Sequence, residues 1–178
     1  MLTIAVPEKE LFDERTSTFI NVPEATLHLE HSLISLSRWE SKWKKAFLGD
    51  EHHTKEELDD YITCMSIDKN VNPLVFKHLD VKQYKEITEY MADSNSATKI
   101  YDRRPGRAGK KEIYTSEVIY YWMIYYGIPF ACEKWNLNRL LMLIRVCSIK
   151  GGTTQQQMDL NSIYAQNRAL NASRRRGK

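Results

Sequence analysis

The chain has 178 residues, enough for one domain with a real core. Four Trp, ten Tyr and five Phe exclude wholesale disorder, and only seven Gly and five Pro exclude a collagen-like or linker-like chain. The net charge of +3 is segregated: residues 99–111 carry six Lys/Arg against one Asp, residues 151–178 carry five against one, and the remainder is net −6. A mildly acidic body with two basic segments suggests an acidic protein or a nucleic acid as partner; the plainer reading of the same charge is solubility.

Residues 2–6 (LTIAV) and 18–22 (TFINV) are β-branched runs bounded by Pro7 and Pro23, and residues 25–30 alternate, with Leu27 and Leu29 on one face. A small antiparallel sheet over 1–31 is therefore expected, with Glu8 to Ser17 as a long charged link. After His31 the period becomes helical. Leu33, Leu36, Trp39, Trp43 and Phe47 form one stripe of an amphipathic helix of about four turns.

Thr54 and Glu57 make a capping box before Leu58, Tyr61, Ile62 and Met65. Pro73 suits the first position of a short helical turn. Asp80 and Gln83 start another helix, striped by Val81, Tyr84, Ile87 and Met91. From about 94 to 111 the apolar period is lost in a basic loop centred on RRPGRAGKK. Thr115 then caps a helix that Gly127 stops and Pro129 keeps from resuming. Val118 to Cys132 contains no charge over fifteen residues, too short for the roughly 20 apolar residues that cross a bilayer. A helix apolar all round belongs at the centre of a core or between partners. It is read here as buried, with Trp122 in the core. Asn136 caps the next helix, striped by Leu137, Leu140, Leu141, Ile144 and Cys147 and closed by Gly151 and Gly152. The last segment, 151–178, reads as a basic helix or flexible tail.

The fold class that follows is α+β and mainly helical. A small N-terminal antiparallel sheet (1–31) precedes a helical bundle (32–150), followed by the basic C-terminal segment.

No catalytic residue, cofactor or metal site is predicted. Cys64, Cys132 and Cys147 are odd in number and widely spaced, which suits small core residues in a reducing compartment. The N-terminal MLTIAVPEKE lacks the basic start and long apolar run of a signal peptide. His28, Glu30 and His31 form H-x-E-H, but in a strand His28 and His31 would point to opposite faces, so one metal cannot easily take both imidazoles. His52 and His53 fall in a polar turn, and Asp59, Asp60 and Glu86 on polar helix faces. PGRAGKK lacks the spacing of a phosphate loop.

Two sets of residues are candidates for binding. Leu36, Trp39, Trp43 and Phe47 offer anchors at helical spacing for a partner helix. Arg103, Arg104, Arg107, Lys110 and Lys111, with Arg174, Arg175 and Arg176, could neutralise phosphates in weak, sequence-blind nucleic-acid contact.

Four stretches carry a resemblance: LEHSLISLSRWESKWKKAFL (29–48), YITCM (61–65), YYWMIYYGIPFACEKWNLNRLLMLIRVCSIK (120–150) and QNRALNASRRR (166–176). They resemble small proteins encoded in the tail-gene block of long-tailed bacteriophages, near the tape-measure gene. The resemblance implies a tail assembly chaperone of the host cytoplasm, whose partner is the tape-measure protein, with no enzymatic activity and no membrane contact. It leaves two other readings open: a structural virion protein of the tail or head–tail connector, and a nucleic-acid-binding protein. If the Trp39 and Trp43 row is exposed, the free chain is expected to self-associate.

Overall fold

Pro7 and Pro23 divide the N-terminal β region into two ribbons. In the computed structural model, which describes residues 1–14, 17–49, 52–100 and 114–151, strand β1 (Leu2–Val6) pairs antiparallel with β4 (Ala25–Leu29), Leu2 opposite Leu29 and Ile4 opposite Leu27. Ile4, Val6, Leu27 and Leu29 are all buried, the period-two pattern of a ribbon with one face in a core. Beyond the prolines, β2 (Lys9–Asp13) pairs with β3 (Thr18–Val22) in a second ribbon. The expected link from Glu8 to Ser17 therefore contains a strand. Its charge masked the pattern, but the cross-strand pairs Leu11–Ile20 and Phe12–Phe19 are apolar, and the two phenyl rings lie 5.1 Å apart.

Five α-helices follow: α1 (Leu33–Trp43), α2 (Lys55–Met65), α3 (Pro73–Lys77), α4 (Val81–Ala92) and α5 (Ser116–Tyr125). A 3-10 helix (Phe130–Lys134) comes next, then α6 over residues 137–151. Helix takes 52% of the described residues and strand 18%, which makes the fold α+β and mainly helical, as the sequence predicts.

Four of the expected caps form, whereas Thr115 precedes α5 without a side-chain cap bond. Thr54 Oγ1 accepts from the Glu57 amide at 3.2 Å, and Glu57 Oε2 accepts from the Thr54 amide at 2.8 Å. Asn72 Oδ1 accepts from the Leu74 amide at 3.0 Å, with Pro73 at the first helical position of α3. Gln83 Oε1 accepts from the Asp80 amide at 2.8 Å, and Asn136 Oδ1 from the Asn138 amide at 3.0 Å.

Two helix ends differ from expectation. The first helix stops at Trp43, because Lys44 adopts a left-handed conformation (φ 55°) that turns the chain out of the helix. Phe47 is thereby folded back onto Trp39, its ring 5.0 Å away. Residue 151 is still helical, so Gly151 does not end α6, and Gly152 lies outside the described residues.

The β1–β4 ribbon is bonded into the helical region. Glu30 donates its amide to the Met65 carbonyl at 2.9 Å, and Ile67 donates to the His28 carbonyl at 2.9 Å, so the chain leaving α2 runs beside β4. Gln83 Nε2 on α4 donates to the Ala5 carbonyl at 2.9 Å. Leu137 donates its amide to the His31 carbonyl at 2.7 Å. Met1–Met142 forms one compact unit, and Leu143–Lys178 a second.

Candidate functional site

Helix α5 is oriented by a buried carboxylate on α1. Glu40 Oε2 accepts from the Ser116 amide at 2.7 Å, and its Oε1 accepts from the Phe47 amide at 3.2 Å. A negative charge at a helix N-terminus satisfies an orphan N–H and complements the helix dipole. The inner face of α5 buries Ser116, Ile119 and Met123. Its C-terminus closes in a Schellman turn. Gly127, at φ 64°, donates to the Ile124 carbonyl at 3.2 Å, and Ile128 donates to the Met123 carbonyl at 2.8 Å. Ile128 and Met123, the pair between which such a turn usually makes an apolar contact, are both buried.

The outer face carries the unusual chemistry. Tyr121 is 60% exposed, Ile124 65% and Tyr125 60%, at i, i+3 and i+4 on one side of the helix. Tyr121 and Tyr125 stack with centroids 6.2 Å apart. Phe130, 56% exposed, extends the surface through Tyr120, its ring 6.2 Å away. The Tyr120 hydroxyl donates to Glu133 Oε2 at 2.9 Å; burial, then this bond, push its pKa up to about 12, so it stays neutral at physiological pH. The expectation that 118–132 is wholly buried, Trp122 included, is corrected here. Trp122 is half-buried against Tyr114, with rings 5.0 Å apart. One side of the helix faces α1, and the other is left uncovered by the described residues.

The row read as a partner anchor lies elsewhere. Leu36 and Trp39 are fully buried and Phe47 nearly so. Trp39 Nε1 donates to the Glu57 carbonyl at 2.8 Å, and Phe47 stacks on Tyr61 at 3.7 Å and on His53 at 4.5 Å. Trp43, half-buried, donates Nε1 to Asp60 Oδ2 at 2.8 Å and stacks on Trp39. These four residues join α1 to α2. The left-handed turn at Lys44 folds the row's far end inward, so that of the four only Trp43 keeps part of its surface open. Arg103, Arg104, Arg107, Lys110, Lys111, Arg174, Arg175 and Arg176 lie outside the described residues.

No family model, no curated protein and no solved structure matches the chain.

The two histidines of the β ribbon are engaged in holding the fold. His28 Nδ1 lies 3.0 Å from Asp68 Oδ1, whereas His31 Nδ1 lies 2.7 Å from the buried Tyr61 hydroxyl, so the two imidazoles serve separate partners. Burial lowers the His31 pKa to about 4. A cleft of about 610 Å³ beside α1, α2 and α3 is lined by Trp43, Asp59, Asp60 and Phe76. Two of its three carboxylates are already bonded, Asp60 to Lys42 and Trp43, Asp59 to the Tyr84 hydroxyl. Among the described residues no group of three His, Cys, Asp or Glu could hold a metal ion, and no helix is long and apolar enough to cross a membrane.

The exposed members of α5 were missed as a site by the sequence reading, although one signal was present. A ten-residue helix without a polar face has more apolar arc than one neighbouring helix can cover.

Proposed function

We propose that the protein is a tail assembly chaperone of a long-tailed bacteriophage, acting in the host cytoplasm to keep the tape-measure protein soluble while the tail tube forms. The resemblance of four stretches to that family suggests the partner. The observation that carries the reading is the uncovered, charge-free surface of Tyr121, Ile124, Tyr125 and Phe130. A contiguous apolar surface on a small protein marks an interaction site. Tyrosines suit a client that varies along its length, because a rigid ring provides contact area at low entropic cost and its hydroxyl tolerates water. The tape measure, long and helical in this reading, offers apolar stripes at the same i, i+3, i+4 spacing. This role requires no chemistry, and the reading includes neither an enzymatic step nor a cofactor.

Co-expression with the tape-measure protein tests it. The expected result is a soluble tape measure with the wild-type protein and a largely insoluble one with Tyr121→Ser/Tyr125→Ser. Equal tape-measure solubility with and without the protein overturns the reading. Mass spectrometry of purified particles separates it from a structural role: a chaperone leaves the finished virion, whereas a tail or connector protein stays.

A further inference from the structure

We propose that in the free protein the outer face of α5 is covered by a second copy of the same chain, in a two-fold pairing centred near Ile124, and that a client must open this pair to bind. The pairing stands on the surface alone; the opening step rests on the chaperone reading above.

Three observations lead to a second copy. The first is charge. From Val118 to Cys132 the only ionisable groups are the tyrosine hydroxyls and the buried Cys132 thiol, and exposed Glu117 bounds the face at its N-terminal end. A two-fold axis brings a patch against itself, so any charge on it meets its like; the ridge of Tyr121, Ile124 and Tyr125 carries none, and Glu133, bonded to the Tyr120 hydroxyl, lies at the rim. The second is shape. Tyr121, Ile124 and Tyr125 form a ridge on one side of a ten-residue helix, with the Tyr121 and Tyr125 rings stacked on each other and Ile124 beside Tyr121. Two such short helices cross and bury their ridges without threading or rearrangement. The third is area. At these exposures the three aromatic rings leave on the order of 350 Å² uncovered, and Ile124 brings the total to about 450 Å² per copy.

A pair therefore buries about 900 Å², just under the ~1,000 Å² at which specific interfaces begin. That size decides the character of the pair. It is too small for an obligate dimer, whose interfaces run above ~2,000 Å², and suits a weak dimer that exchanges readily. A chaperone needs such a cover: one that shields the aromatic face at rest and yields to a longer client. The half-buried rings at the margin, Tyr120, Trp122 and Tyr126, would supply the rim.

Sedimentation velocity on the full-length chain, from low to high micromolar concentration, tests the pairing. The expected result is a reversible shift from monomer to dimer. Ile124→Glu and Ile124→Lys each place like charges at the axis and should weaken the dimer by at least about tenfold. Residue 124 is mostly exposed, so circular dichroism of both variants should match wild type. Mixing the two variants should restore a dimer, since unlike charges then meet. A wild-type protein that stays monomeric throughout overturns the proposal, as does a dimer indifferent to both substitutions. A mixture that fails to associate overturns the two-fold arrangement at Ile124. Adding a soluble tape-measure fragment to the wild-type dimer tests the opening step: a complex containing one copy of this chain supports it, and a dimer that persists in the complex overturns it. A soluble tape measure with a monomeric protein would sink the pairing and leave the chaperone role standing. A working charge-swapped dimer beside an unaffected tape measure would do the reverse.

Discussion

Glu40 holds three segments together: it sits on α1, takes an amide from the start of α5 and another from Phe47 in the turn after Lys44. Glu40→Gln keeps the shape but replaces one acceptor by an N–H aimed at another N–H. The expected cost is about 2–3 kcal/mol, read from the urea midpoint, and an unchanged midpoint would show that water can replace the lost acceptor. His31 makes a pH prediction. Its folded-state pKa, about 4, lies below the unfolded value of about 6.5, so the unfolded chain binds the proton first as pH falls. Its contribution to stability is complete above about pH 6.5 and is lost as pH falls through about 4, an effect of about 3 kcal/mol. Urea midpoints of wild type and His31→Gln across that window check the sign. The wild type should lose stability more steeply toward acid, and parallel profiles would reject the assignment to His31.

Helix starts were legible in the sequence and helix burial was not, for a physical reason. A cap is local: Thr54 with Glu57, Asn72 with Pro73, and Asn136 with Asn138 find their partners within three residues. Burial depends on what arrives from elsewhere in the chain. The stripe of α1 and the all-apolar surface of α5 both read as core, yet α1 buries Leu33, Leu36 and Trp39, while α5 leaves Tyr121, Ile124 and Tyr125 uncovered. Strand β2 was missed because its pairing partner β3, not its own composition, decides it. The two tryptophans turn this contrast into a measurement. Trp39→Ala, at a fully buried site, should cost on the order of 3–5 kcal/mol, and half-buried Trp122→Ala about 2 kcal/mol. Equal losses in thermal or chemical denaturation would mean that α5 is as deeply packed as α1.

At the scale of the whole molecule, charge separates the readings that survive. A body of net −6 beside two basic segments should bind nucleic acid weakly at physiological salt, with affinity falling steeply as salt rises. Fluorescence anisotropy with labelled DNA and RNA measures this, and tight, saturable binding at physiological salt would promote the nucleic-acid reading over the chaperone. The bond between the Leu137 amide and the His31 carbonyl has a consequence for the chain's own birth. The end of the β ribbon cannot take its final place until more than 100 further residues have been made. At ~5–20 residues per second that interval is roughly 5–20 s. Throughout it, the apolar side of the ribbon and the stripe of α1 wait without the segment that finishes their enclosure. A protein whose proposed work is sheltering unfinished partners thus emerges from the ribosome itself unfinished, and pulse-chase proteolysis of stalled nascent chains should show protection of the N-terminal region only once residue 137 has left the tunnel.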